Sequence, residues 1–177
     1  MDNPPLKTLV VDDEPLATER LQLLLARIGG VDLVGTASDG EAACRMAEAL
    51  SPDLLLLDIA MPGMDGIDVA RELGRSAARP AVVFVTAFDH FAVSAFEVEA
   101  VDYLVKPVDP TRLERALERA RAHLAKRGAG IEAPAPAGQY LDEFWASDLT
   151  GLVRIRAIDI DRVSAERDYM QIGRAHV

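Results

Sequence analysis

Short apolar stretches alternate with amphipathic ones along the first 126 residues. Apolar segments at 6–11, 31–36, 53–57, 81–86 and 101–105 predict five strands. Three of them hold unbroken apolar runs (9–11, 54–57 and 81–85), the pattern of parallel strands covered on both faces. Between the strands, spacings of three and four predict helices. Residues 15–27 place Leu16, Leu21, Leu24, Leu25 and Ile28 on one stripe, which Gly29-Gly30 closes. Ser38 with Glu41 three residues on reads as a capping box, opening a second helix that runs to Leu50. Further helices are expected over 66–77, 88–96 and 110–127, the last with Asp109 as its N-cap. Such alternation predicts an α/β fold, a doubly wound five-stranded parallel sheet with helices on both faces.

The pattern breaks after residue 126. Residues 127–138 are rich in Ala, Pro and Gly and carry almost no anchoring side chains, so they read as a linker. The remaining stretch, 139–177, is shorter than the roughly 40 residues that usually fold alone. It still carries strand signals. Leu152-Val153-Arg154-Ile155-Arg156 alternates, and apolar spacing resumes from Ile158 to Val163, as at the opening of an incomplete β-rich domain.

Composition narrows the class. Of 177 residues, 50% are hydrophobic and 27% charged, which excludes a wholly disordered chain. Acids outnumber bases 29 to 19, for a net charge of −10. Residues 1–126 carry −8 of it and 127–177 carry −2, so neither part shows a basic nucleic-acid footprint. The single cysteine, Cys44, excludes a disulfide framework and a four-thiolate zinc site, and suits a reducing compartment. No apolar run nears the roughly 18 residues of a membrane span, and Met1-Asp2-Asn3-Pro4-Pro5 lacks the features of a signal peptide. A soluble cytoplasmic protein with no membrane partner is expected.

The candidate chemistry lies where the strands end. Asp12 and Asp13 follow the first strand and Asp58 follows the third, and in an open α/β sheet these ends share the ligand-binding edge. One such aspartate is as easily a helix cap or a turn residue. Three converging on one pocket repel one another unless a cation compensates, and oxygen donors without His or Cys favour Mg²⁺. Thr86 ends the fourth strand, and Lys106 ends the fifth, just before Pro107. A hydroxyl and an ammonium beside carboxylates and a metal make a receptor for phosphoryl oxygens. Asp58 is then placed to be the nucleophile of an aspartyl-phosphate, with Asp12 and Asp13 left for the metal.

The blocks Val10-Val11-Asp12-Asp13-Glu14-Pro15, Leu57-Asp58-Ile59-Ala60-Met61-Pro62-Gly63-Met64-Asp65-Gly66, Val85-Thr86-Ala87 and Tyr103-Leu104-Val105-Lys106-Pro107 resemble those of a flavodoxin-like receiver domain of two-component response regulators. The resemblance covers about 5–126, and the receiver is assigned to 1–126. It implies that Asp58 takes a phosphoryl group from a histidine kinase in a self-catalysed transfer, so that the chain is a phosphoacceptor rather than an enzyme. It also implies that Asp13, Asp58 and the backbone carbonyl of Ala60 ligate Mg²⁺, with Asp12 acting through water. Thr86 and Tyr103 would form the switch pair, Lys106 would pair with the phosphoryl group, and the Lys106–Pro107 bond would be cis. The readout face would hold the fourth helix, where an exposed Phe88 or Phe91 would favour a homodimer on phosphorylation.

Two segments bear on the output. Residues 87–104 resemble the receiver variant that accompanies LytTR-type DNA-binding domains. Ile158-Asp159-Ile160-Asp161-Arg162-Val163, with Glu166 and Tyr169 after it, is similar to the first strands of such a domain. DNA as a partner is implied only for the parent protein, because the groove-reading strands are missing. Ile172-Gly173-Arg174-Ala175-His176-Val177 matches the translation of a sequencing-library adapter, and Gly173 interrupts the strand pattern. Residues 172–177 are therefore read as non-native, with the natural chain continuing past Gln171. Two other readings remain. One is a receiver with a protein-binding or enzymatic output. The other is an aspartate-nucleophile phosphohydrolase, disfavoured because that class has an Asp-x-Asp pattern where this chain has adjacent aspartates. His90 and Cys44 carry no functional expectation.

Overall fold

A computed structural model describes residues 4–75, 79–87 and 98–128, together with the backbone of four strands between 143 and 174. The first unit holds β1 (Leu6–Val11), β2 (Val31–Ala37), β3 (Leu54–Leu57), β4 (Ala81–Thr86) and β5 (Asp102–Val105). Its helices are α1 (Pro15–Ile28), α2 (Gly40–Leu50), α3 (Gly66–Gly74) and α4 (Pro110–Gly128). All strand pairs are parallel, in the order β2-β1-β3-β4-β5. This is the doubly wound, flavodoxin-like strand order.

Period-two alternation within the buried strands divides the core into two layers. Val10, Leu54, Leu56, Val83 and Val85 face the layer shared with α1 and α4, where Leu21, Leu25, Leu113 and Leu117 pack. Leu9, Leu55, Leu57 and Phe84 face the layer shared with α2 and α3, where Ala43, Ala47, Ile67 and Val69 pack. All four leucines of β3 are fully buried. Each contributes roughly 1.5–3 kcal/mol of burial. The central strand that carries Asp58 at its end is thus firmly held.

Several expectations need correction. Leu16 is 78% exposed and does not join the α1 stripe. A spacing of five residues turns it about 140° away from Leu21 around the helix. The N-cap of α2 is Asp39, not Ser38, and its carboxylate accepts the Ala42 N–H at 2.7 Å. Helix α3 ends at Gly74 rather than Ala77. Asp109 caps α4 as expected, accepting the Arg112 N–H at 3.0 Å. The expected helix over 88–96, with Phe88, Phe91 and His90, lies outside the described residues.

The second unit begins at Pro134. Its backbone forms two antiparallel pairs, β6 (Glu143–Asp148) with β7 (Gly151–Arg156), and β8 (Ile160–Glu166) with β9 (Tyr169–Arg174). Gly173 does not interrupt the last strand. It pairs with Arg162 at a register shift between Ile160 and Arg162, where a bulge tolerates glycine.

Candidate functional site

The sheet ladder fixes three positions before any side chain is considered. Asp12, Asp58 and Lys106 each stand one residue past a strand, and the N–H of each donates to the last carbonyl of a neighbouring strand. Asp12 bonds Ala37 at 3.0 Å, Asp58 bonds Val11 at 2.8 Å and Lys106 bonds Thr86 at 2.8 Å. The Lys106–Pro107 peptide bond is cis.

The two buried aspartates use their oxygens alike. Asp12 Oδ1 accepts the Glu14 N–H at 3.0 Å, and Asp58 Oδ1 accepts the Ala60 N–H at 3.2 Å. These bonds are local turn closures, so the bland reading of each aspartate holds for one of its oxygens. The second oxygen of each faces Lys106. Its Nζ donates to Asp58 Oδ2 at 2.9 Å and stands 2.8 Å from Asp12 Oδ2, an ion pair off the hydrogen-bond axis. Thr86 is fully buried at the same edge, and its Oγ1 has no hydrogen-bond partner among the described residues.

Burial raises the Asp12 carboxyl above its ordinary pKa, and the Lys106 ammonium and the Glu14 amide offset only part of that. For Lys106, burial acts to lower the pKa, but the close carboxylates of Asp12 and Asp58 outweigh it and raise the value. The ammonium is therefore charged at neutral pH, and it screens two like charges that would otherwise repel.

Glu14 is the residue that sequence reasoning missed. Oxygens of Asp12, Glu14 and Asp58 gather within 4.8 Å of one another, and Glu14 Oε1 lies 3.7 Å from Lys106 Nζ. Asp13, which the resemblance places on the metal, is half-buried and outside that group. The turn closed by Asp12 brings the residue two positions on back over the carboxylate, which no periodicity in the sequence announces. Tyr103 is half-buried, its ring 6.5 Å from that of Phe84 and tilted by 56°.

Comparison with known proteins decides the family, since residues 8–118 match the family model described as "Response regulator receiver domain". The chain belongs to the response regulator receiver family. Receiver domains bind Mg²⁺ at an acidic pocket. The donor set here suits that ion, being three carboxylates with no softer ligand among them. Among curated relatives, the Positive alginate biosynthesis regulatory protein of Pseudomonas aeruginosa is 47% identical over 135 residues, covering 75% of this chain and 54% of that protein. The Transcriptional regulatory protein BtsR of Salmonella typhi is 38% identical over 159 residues, covering 90% of this chain and 64% of that protein. That second match must extend past the receiver and the linker into the second unit. The chain thus spans between half and two-thirds of the length of these two relatives. Among solved structures, the response regulatory domain of protein mrkE from Klebsiella pneumoniae superposes with a TM-score of 0.64 at 32% identity, covering 68% of this chain and 99% of that one. Among the described residues, no helix of this receiver protein is long and apolar enough to cross a membrane.

Proposed function

We propose that this receiver takes a phosphoryl group from the phosphohistidine of a sensor kinase onto Asp58, and that the change controls transcription through a LytTR-type DNA-binding output. The observation that carries the first half is Lys106 bridging two buried strand-end carboxylates at the edge that also holds the unpartnered Thr86 hydroxyl. Support for the second half comes from the regulators' names and from the match that reaches past the linker.

In this reading an Asp58 carboxylate oxygen attacks phosphorus and the P–N bond to the donor breaks, and because the donor ring is protonated on its other nitrogen, it leaves as neutral imidazole. Asp13, Asp58 and the Ala60 carbonyl would hold Mg²⁺, with Asp12 acting through water and Glu14 beside them. The ion supplies charge neutralisation for the phosphoryl oxygens. Lys106 gives up its carboxylate contact to pair with the new anion. Thr86 gains the acceptor that its hydroxyl lacks, and the Tyr103 ring turns inward as that hydroxyl moves. Phosphorylation adds roughly −1.5 to −2 charge and three strong acceptors. The conformer that brings Lys106 and Thr86 onto the phosphoryl group is favoured by that differential interaction alone. Homodimerisation on phosphorylation and a cytoplasmic location belong to the same proposal.

The test is incorporation of labelled phosphate from acetyl phosphate in the presence of Mg²⁺. Wild type is expected to label and Asp58→Asn to stay at background. Equal labelling of the two would overturn the assignment of the acceptor. For the output, footprinting of the natural full-length protein on its upstream DNA is expected to show a protected site. Absence of a strand-rich domain beyond the linker in the full gene would instead favour the protein-binding or enzymatic output.

A further inference from the structure

Lys106 has two tasks that conflict. Its ammonium sits between Asp12 and Asp58, at 2.8 Å and 2.9 Å, where it offsets their repulsion. A divalent cation needs those same oxygens, so the ammonium must withdraw when the ion arrives. Yet the phosphoryl group would later need Lys106 close at hand. The third carboxylate within reach is Glu14, with Oε1 at 3.7 Å from Nζ and a side chain 66% exposed.

We infer that Glu14 is a positioning residue that receives the Lys106 ammonium when a divalent cation displaces it from Asp12 and Asp58, keeping Lys106 at the pocket rim for the incoming phosphoryl group. The inference rests on the function proposed above. Several features of Glu14 suit this part. Its backbone N–H is fixed by Asp12 Oδ1 at 3.0 Å, so the stem of the side chain is anchored. Its exposed carboxylate can follow the ammonium outward with little desolvation. The contact at 3.7 Å is already the start of the path. Withdrawal to Glu14 exchanges one ion pair for another, whereas withdrawal to water would leave the displaced charge with no partner.

A double-mutant cycle on the full chain tests it, with the Mg²⁺ dissociation constant measured by titration calorimetry and no phosphodonor present. Glu14→Gln is nearly isosteric, and Lys106→Met keeps the length of the side chain. Any direct attraction of Glu14 for the ion enters both arms of the cycle equally, so the difference between the arms reports the role of Lys106. Glu14→Gln is expected to weaken Mg²⁺ binding about fivefold more when Lys106 is present than in Lys106→Met, the scale of one charge pair near 4 Å in water. Equal weakening in the two backgrounds, or greater weakening in Lys106→Met, overturns the proposal, as does failure of wild type to bind Mg²⁺. Labelling of Asp58 is scored separately. A receiver that labels normally while the cycle shows no coupling loses this inference and keeps the function.

Discussion

The two edges of the parallel sheet come from the same ladder and are used in opposite ways. Where the strands end, Asp12, Asp58 and Thr86 are buried, one ammonium serves two carboxylates, and a hydroxyl has no partner among the described residues. Where the strands begin, arginines tie exposed loops together. Arg121 donates to the carbonyls of Pro4 and Gly30, Arg127 donates to the Arg79 carbonyl at 2.7 Å, and Arg79 pairs with Glu99. Guanidinium bonds at an exposed edge carry little desolvation cost, whereas burying like charges is unfavourable until a ligand compensates. The exposed side-chain ties thus lie at the edge away from the candidate site.

The strongest challenge to that division is at Gly66, which opens α3. A Cβ there would lie closer to the Asp58 carbonyl oxygen than real Cβ atoms come. Gly66→Ala is expected to cost about 1–3 kcal/mol by overpacking. Because the strain falls on the backbone of Asp58 and Ile59, the initial rate of phosphate incorporation should fall as well. Urea denaturation and labelling measured on the same variant check both. An unchanged rate would show that the α3 junction and the pocket are separable.

Arg121→Ala probes the other edge. It removes the tie from α4 to Pro4 and Gly30 and is expected to cost about 1–2 kcal/mol, discounted for exposure. Mg²⁺ affinity and labelling should stay at wild-type level. A matching loss of labelling would mean that the edges are coupled.

The smallest expected effect is that of pH on His123 in α4. Burial first, and then the positive charges of Arg127 and Arg79, hold its pKa below the ordinary value, while Glu99 pulls the other way. The fold therefore favours neutral His123. Its contribution to stability is present above the ordinary histidine pKa and is lost as pH falls through the lowered one. His123→Gln should lack that component. Urea midpoints of wild type and variant, compared from neutral pH downward, should converge or cross as wild type loses stability faster. Midpoints that run parallel would remove His123 from the account.

What the sequence revealed follows from how local each signal is. The bounds of β1 and β4 agree with expectation because their apolar runs end abruptly, before Asp12 and at Thr86. Caps are ambiguous by one residue where two good candidates adjoin, so Ser38 stood in for Asp39. The stripe of α1 was overdrawn because a leucine five residues from its neighbour looks periodic in text but points elsewhere on a helix. The site was legible as a set of residue types at strand ends. Glu14 was not, because its approach depends on the turn that Asp12 closes through its own side chain, a three-dimensional consequence with no periodicity.

That use of side-chain oxygens has a chemical consequence for Asp58. In water the two oxygens of a carboxylate are equivalent, and an electrophile meets either with equal chance. Among the described residues, Oδ1 accepts the backbone amide of Ala60, while Oδ2 pairs with an ammonium on a flexible stem. The loop has removed the symmetry of the carboxylate. One oxygen is held by the backbone, and the other by a side chain that can move.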